Sequence, residues 1–273
     1  MKNFFALLRP KHWTKNLFVL AAPFFGGQLA NRDVLLGLPV AFACFSLCAG
    51  AVYILNDLKD LKQDRLHPEK KKRPLASGKI LKKDAVFVMG ILFLVSLGAS
   101  FFISFSFFCW VFLYAFIQTA YSFSLKHVPL IDIFCIAAGF IIRIFAGGAA
   151  FEIEVSSWLF ITMLMISLML AAGKRGSETA LLQNRVTEHR RSLSRDFSST
   201  LHEILLISSS TSLMAYSLYT VEQSPELIYT VPVVTFGLFR YLMLAKTGLG
   251  DPTSALTKDR CLGGTVLIWL TLV

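Results

Sequence analysis

Nine apolar stretches recur along this chain, at about 13–30, 34–55, 85–103, 106–124, 129–150, 156–172, 200–220, 227–245 and 261–273. About 20 apolar residues is the length an α-helix needs to cross the hydrocarbon core of a bilayer. In lipid, backbone N–H and C=O groups must be satisfied within the spanning element, so runs of this length predict helices. The pattern therefore predicts an all-α integral membrane protein with eight full spans and a short ninth, forming a single domain over 1–273. Leu262–Val273 has about 12 residues, too few to cross alone, so that segment is expected to be re-entrant or to continue past the end of the sequence. A hydrophobic content of 55%, with 25 Phe, and a mean hydropathy of +0.62 support the membrane assignment over a soluble core. Met1–Leu8 is too short for a cleavable signal, and Arg9, Pro10, Lys11 and His12 interrupt it. A short interfacial helix leading into the first span is expected instead.

Charge assigns topology. With nine spans and the N-terminus inside, the inner segments are 1–12, 56–84, 125–128, 173–199 and 246–260. With the flanking Lys15, these hold 24 of the 27 Lys and Arg. Outer loops carry Asp33, Glu152, Glu154, Glu222 and Glu226 instead. This lopsided split follows the positive-inside rule and puts the charged loops in the cytoplasm. The net charge of +10 is explained by topology, anionic lipid or a phosphorylated substrate, and needs no nucleic acid. The five cysteines (Cys44, Cys48, Cys109, Cys135, Cys261) form no CxxC pair and the five His are scattered. That spacing makes no case for a disulfide framework or zinc and argues against a zinc hydrolase.

The most informative loop follows the second run. It opens Asn56-Asp57 and continues through Asp60, Asp64 and Arg65 to Lys70, Lys71, Lys72 and Arg73. Asp57, Asp60 and Asp64 are spaced i, i+3, i+7 and share one face of a helix within two turns. Like charges stacked in this way repel, so a cation is expected among them. Carboxylate oxygens suit Mg²⁺, which keeps several waters and shares its shell with phosphates. Asn56 adds a neutral oxygen. Arg65, Lys70 and Arg73 are placed to hold phosphate oxygens that the metal leaves exposed. The stretch thus reads as a metal–diphosphate site, with a solvated charged loop as the alternative. Arg73-Pro-Leu-Ala-Ser-Gly78 is turn-rich and suited to fold a backbone concavity over a phosphate.

Other candidates are scattered. Trp13 sits at the start of the first run, where such rings favour the interface. Lys15 and Asn16 beside it read equally as anchors or as phosphate ligands. Between the fourth and fifth spans, Tyr121-Ser-Phe-Ser-Leu-Lys126-His-Val-Pro leads to Asp132, with Arg143 deeper. Tyr121 and Lys126 join the candidate substrate-binding residues. An intramembrane Arg is costly and faces a bundle interior or polar cavity. Asp132 and Arg143 share a face about 16 Å apart, so they can line one cavity but cannot pair. A structural ion pair from Arg143 to another helix is the alternative. After the sixth span come Gly173, Lys174, Arg175 and Glu178, then Arg185, Glu188, Arg190, Arg191, Arg195 and Asp196. Lys174 and Glu178 form an i, i+4 pair. A basic helical loop is the plain reading, but Gly173-Lys-Arg at a span's end, at the level of Asp57, points to a second binding segment. Asp251 and Asp259 read as turn and cap residues.

Asn56-Asp57-x-x-Asp60-x-x-x-Asp64 at the inner end of a span, within a nine-helix chain, resembles the UbiA-type prenyltransferase superfamily. The resemblance implies a nine-transmembrane-helix bundle with a cytoplasm-facing cavity, where two acidic motifs hold Mg²⁺ and a substrate diphosphate. This chain departs from that pattern at Lys174-Arg175-x-x-Glu178, where a second aspartate-rich helix is expected. That departure, the Arg9-Pro-Lys-His-Trp-Thr-Lys-Asn16 start and His67-Pro-x-Lys-x-x-Arg-Pro-Leu-Ala-Ser-Gly78 resemble one branch, the decaprenyl-phosphate phosphoribosyltransferases. The branch implies phosphoribosyl diphosphate as donor and polyprenyl phosphate as acceptor, in cell wall biosynthesis at the plasma (inner) membrane. A homo-oligomer is compatible with this reading. Charge agrees independently: three anionic groups in one cavity call for more Lys and Arg and fewer carboxylates.

On this expectation Asp57, Asp60 and Asp64, with Asn56, hold Mg²⁺ on the leaving diphosphate, and Arg65, Lys70 and Arg73 hold phosphates. Lys174, Arg175 or Arg143 positions the lipid phosphate, which attacks ribose C1 with inversion, while Glu178 fixes Lys174 or a metal-bound water. The competing functions are transfer of a polyprenyl diphosphate to an aromatic acceptor, which calls for a second acidic motif at 171–196, and a transporter. A transporter calls for inverted repeats and midplane polar residues, and no internal repeat is seen.

Overall fold

A computed structural model of the chain describes residues 2–67, 70–182, 195–223 and 225–273. The loop residues Arg185, Glu188, Arg190 and Arg191 lie outside the described residues, as does Pro68 of the loop motif; the side chains of Arg195 and Asp196 are likewise outside. Among the described residues the structure is helical, with no strand. The helices are α1 Lys2–Leu7, α2 Ala21–Phe25, α3 Arg32–Lys59, α4 Leu61–Leu66, α5 Lys82–Ile103, α6 Phe105–Phe123, α7 Ile131–Ala150 and α8 Ser157–Leu182. They continue with α9 Arg195–Gln223, α10 Val231–Lys246, α11 Pro252–Lys258 and α12 Arg260–Leu272. Seven of the described helices are long and apolar enough to cross a membrane.

Both ends of the apolar pattern depart from the regular spans. The run at 13–30 forms a 3₁₀ helix, Pro10–Leu20, followed by the short α2. Such a length is unusual, because 3₁₀ hydrogen bonds are poorly aligned, and Pro10 and Pro23 each lack an N–H for the ladder. The last run forms α12, a 13-residue helix.

The chain divides into two compact units, 1–126 with 142–155, and 127–141 with 156–273. In the first unit α3 packs on α5 and α6. Its core joins Phe45, Cys48 and Val52 of α3 to Phe107, Val111 and Tyr114 of α6 and to Ile142 and Ala146. Gly147 lies against the Val19 carbonyl, where any side chain would collide with backbone. The Ser104 hydroxyl caps α6 by accepting from Phe107 N–H at 3.0 Å, and donates to the Ala149 carbonyl at 3.0 Å. A second core gathers Leu7, Ile54, Leu61, Leu75, Ala76, Ile80 and Ala85, tying α1 and the 73–80 turn to the C-terminal end of α3. In the second unit α9 packs along α8, and α12 packs on α10 and α11. Asp251 and Asp259 cap α11 and α12 by accepting from Ser254 N–H (3.1 Å) and Leu262 N–H (2.7 Å). All five cysteines are free; three are buried, and Cys109 and Cys261 are exposed.

Candidate active site

α3 does not run on through the aspartate motif. It stops at Lys59, and Asp60 breaks the helix with φ −91° and ψ 8° before α4 begins. The three aspartates therefore do not share one continuous helical face. Asp57 and Asp64, both buried, still converge: Arg73 Nη1 donates to Asp57 Oδ1 at 2.9 Å and to Asp64 Oδ2 at 2.6 Å. A second guanidinium, Arg9, donates through Nη2 to the same Asp57 oxygen. Asp60 turns elsewhere and accepts from Lys126 Nζ.

Local structure sets this up. The Arg73–Gly78 stretch folds into a turn closed by Ser77 N–H on the Arg73 carbonyl at 2.9 Å, with Gly78 in the left-handed region (φ 75°). Its Leu75 and Ala76 are buried beside Ile54 and Leu61. The packed turn aims Arg73 at the two carboxylates. Arg9 reaches Asp57 through a left-handed backbone (φ 49°, ψ 61°), which costs a non-glycine residue about 1 kcal/mol or more. Its guanidinium lies 5.1 Å above the Tyr53 ring. Burial pushes the Arg9 guanidinium below its ordinary value, while Asp57 pulls it back up. An arginine remains cationic under such a shift.

The donor set fits a divalent cation. Among the described residues no three or more His, Cys, Asp or Glu converge on one point. Asp57 and Asp64, however, present two carboxylate oxygens around the position that Arg73 Nη1 takes. Mg²⁺ is usually held by one or two carboxylates, with water and substrate phosphate completing its shell.

A separate buried polar network lies deeper in the first unit. Arg143 Nε donates to Asn16 Oδ1 at 2.9 Å and Nη2 to Tyr114 OH at 3.0 Å, while Asn16 Nδ2 donates to Ser46 Oγ at 2.9 Å. The guanidinium also faces the Phe45 and Tyr114 rings at 5.0 and 4.6 Å. Asn16 is thus fully buried.

In the second unit the sequence-predicted Arg175 is 1% exposed and Asp132 is 0% exposed. Arg175 Nε and Nη2 grip both Asp132 oxygens at 2.5 and 2.7 Å, and Nη1 donates to Glu178 Oε2 at 2.5 Å. The fork–fork geometry fills the guanidinium's donor edges. Close by, Gly173 lies against the Tyr241 ring, and Tyr241 OH donates to the Gly250 carbonyl at 2.7 Å. Gly250 N–H donates to Ser177 Oγ at 2.7 Å.

Comparison with known proteins places this architecture. The profile of the UbiA prenyltransferase family matches residues 16–256. The chain belongs to the UbiA prenyltransferase family. It is an enzyme of the transferase class. It is 34% identical to a decaprenyl-phosphate phosphoribosyltransferase of Mycolicibacterium smegmatis over 96% of this chain and 88% of that one. It is 33% identical to the protein of the same name from Mycobacterium tuberculosis, over 97% of this chain and 91% of that one. A solved UbiA homolog from Archaeoglobus fulgidus, bound to GPP and Mg²⁺, shares the fold with a TM-score of 0.76. That comparison is at 18% identity and covers 99% of this chain and 96% of that one.

Set on the UbiA chain, the sequence-predicted residues sort by unit. Asp57, Asp64 and Arg73 are brought together, and Asp60 and Lys126 pair beside them. Asn56 is half-buried and Arg65 exposed; Lys70 is half-buried, its N–H donating to His67 Nδ1 at 3.2 Å. Lys15 and Tyr121 are half-buried, as is Lys174 on α8. Glu178 accepts from Arg175. Sequence reasoning missed two partners. Arg9 meets Asp57 across 48 positions, and Arg175 meets Asp132 across 43. The usable signal for both was that a buried carboxylate needs a cation, but spacing says nothing about which one.

Proposed function

We propose that this UbiA-family enzyme transfers 5-phosphoribose from phosphoribosyl diphosphate to a polyprenyl phosphate, with Mg²⁺ as cofactor. The products are polyprenylphosphoryl-5-phosphoribose and diphosphate. The observation that carries this reading is the buried Asp57–Asp64 pair closed by a guanidinium. It occurs in a chain that resembles proteins named decaprenyl-phosphate phosphoribosyltransferase along nearly its whole length. The second unit supports the same branch. A second acidic motif would suit a single diphosphate, whereas here Arg175, Asp132 and Glu178 make a closed ion cluster.

In this reading Asp57 and Asp64, with Asp60 and Asn56 beside them, hold the cation. When bound, it withdraws negative charge from the departing diphosphate. Arg73 and Lys126 move from carboxylates to phosphate oxygens, and Arg65 and Lys70 neutralise the remaining charge of the donor. Lys174 binds phosphate in the second unit, and Lys15 and Tyr121 contact substrate in the first. Arg175 and Arg143 act as positioning residues through Asp132 and Asn16. The lipid phosphate oxygen bonds to ribose C1 as the C1–O bond to diphosphate breaks, the electron pair leaving with the diphosphate. Positive charge develops at C1 in a loose transition state, as in glycosyl transfer. A phosphate monoester has its second pKa near about 6, so the nucleophile is already ionised and no general base is required. Catalysis rests on positioning and charge stabilisation. The basic loops support a cytoplasmic site in a nine-span topology, the irregular 13–30 run and α12 being counted as spans.

The test is a transfer assay on purified protein in detergent with Mg²⁺, polyprenyl phosphate and radiolabelled phosphoribosyl diphosphate. Metal-dependent label in the organic phase is expected. No label there, together with turnover of a prenyl diphosphate and an aromatic acceptor, would assign the chain to aromatic prenylation.

A further inference from the structure

The acid pair is already neutralised. Asp57 and Asp64 are both buried, and two arginines, Arg9 and Arg73, bond to them. Neither guanidinium can be discharged by losing a proton. A divalent cation entering alone would have to push them off their carboxylates and leave two or more positive groups crowded in a poorly solvated site. A diphosphate removes that obstacle, because it offers several anionic oxygens that guanidinium forks accept readily. We propose that Arg9 and Arg73 make metal capture conditional on the diphosphate. The bare divalent ion is excluded, and the metal–diphosphate enters as a unit while the two guanidiniums pass from carboxylate to phosphate oxygens.

Arg9 is the residue that makes this a property of the fold. Leu7, two residues before it, is 1% exposed in the core formed with Ile54 and Leu61. Just after it, Trp13 Nε1 donates to the Leu8 carbonyl at 3.0 Å, and Leu8 lies over Gly50 of α3. Backbone on both sides is therefore pinned, and the left-handed turn at Arg9 delivers its side chain to Asp57. With the Tyr53 ring beneath it, the guanidinium can swing between acceptors while the backbone stays fixed. The arrangement also selects ligands. A diphosphate offers more anionic oxygens than a monoester phosphate for a metal and two guanidiniums to share, so the site favours a donor with a diphosphate.

This inference rests on the acid pair being a diphosphate site and not on which group the diphosphate leaves. The experiment uses the full chain in detergent, Mn²⁺ as a paramagnetic substitute for Mg²⁺, and inorganic diphosphate as ligand. Protein-bound manganese is read by electron paramagnetic resonance after rapid gel filtration. The wild type is expected to retain little Mn²⁺ alone, at least about tenfold more with diphosphate, and no more with inorganic phosphate. By linkage, Mn²⁺ should raise diphosphate affinity by the same factor. Arg9→Gln should bind Mn²⁺ alone at least about tenfold more tightly than wild type, and Arg9→Lys should restore exclusion. Equal binding of Mn²⁺ alone by wild type and Arg9→Gln would overturn the proposal. So would a wild type indifferent to diphosphate, a comparison that stands even if the variant does not fold. Coupled capture without phosphoribosyl transfer would support this inference while refuting the donor assignment; transfer without coupling would refute this inference alone.

Discussion

The Asp57–Asp64 cluster of the first unit and the Asp132–Arg175 cluster of the second are both guanidinium–carboxylate assemblies, yet they are closed to different degrees. In the second, Arg175 and Asp132 are 1% and 0% exposed and meet in a bidentate pair. In the first the carboxylates are buried, but Arg9 and Arg73 are 18% and 25% exposed. A pair buried on both sides is shielded from an incoming ligand, so its worth lies in satisfying charges that the interior could not otherwise hold. A pair sealed only on the acid side can exchange its cations. The same residue types thus serve rigidity in one place and ligand exchange in the other, and burial of the cation decides which.

The largest effect expected from this contrast is on stability in the second unit. Asp132→Ala removes the bidentate carboxylate from the buried Arg175 and should destabilise the protein by about 3–5 kcal/mol, read as a lowered midpoint of denaturation in detergent. Pairing Asp132→Leu with Arg175→Met should recover most of that loss, because a well-packed apolar pair can replace a buried ion pair. If the single variant is as stable as wild type, the cluster is not sealed in the sense argued.

In the first unit the balance should reverse. Asp64→Asn keeps Arg73 on Asp57 and should cost about 1–3 kcal/mol, less than Asp132→Ala. Turnover should fall on the order of a hundredfold to a thousandfold. An Asp64→Asn enzyme of full activity would remove the acid pair from the reaction.

Asn16→Leu tests the intermediate case, a buried neutral network. It removes the bond that Arg143 Nε donates and the one that Ser46 Oγ accepts, and should cost about 1–3 kcal/mol in thermal unfolding. Arg143→Met in the same background should return part of it. A loss of activity without any loss of stability would instead make Arg143 a ligand.

The smallest effect is expected at Asp259, which pairs with Arg240 at 2.6 Å near the protein surface. The hydrogen bond from Arg240, with that from Leu262 N–H, holds its carboxyl below the ordinary value of 3.8. A depressed folded-state value stabilises the protein above pH 3.8, and that stabilisation is lost as pH falls through the lower folded value. Asp259→Asn keeps a good cap, so it should melt slightly below wild type at neutral pH. The two should converge in acid below about pH 4. A gap independent of pH would mean the pair with Arg240 contributes nothing.

Much of the fold could be read before any coordinates. Leu, Val, Ile and Phe in runs of about 20 leave a membrane chain little choice but helix, and seven long apolar helices are there among the described residues. The caps at Asp251 and Asp259 were legible because capping chemistry is local. The first run was less so. Hydropathy reports how apolar a segment is and says nothing of its hydrogen-bond pattern, which is 3₁₀ over Pro10–Leu20. The aspartate motif showed where acids concentrate. Its spacing assumed an unbroken helix, and the break at Asp60 changed which of them meet.

Composition and periodicity alone determined the helical class, the membrane setting and the acid-rich loop, because each depends on residues close together in sequence. Only the tertiary structure decided that Arg9 and Arg73 close on Asp57, that Lys126 turns to Asp60, and that Arg175 is spent on Asp132. Those pairings join positions up to 66 residues apart. A buried charge demands a partner, but the folded chain, through turns and packed cores such as Leu7 with Leu75, determines which partner can reach it.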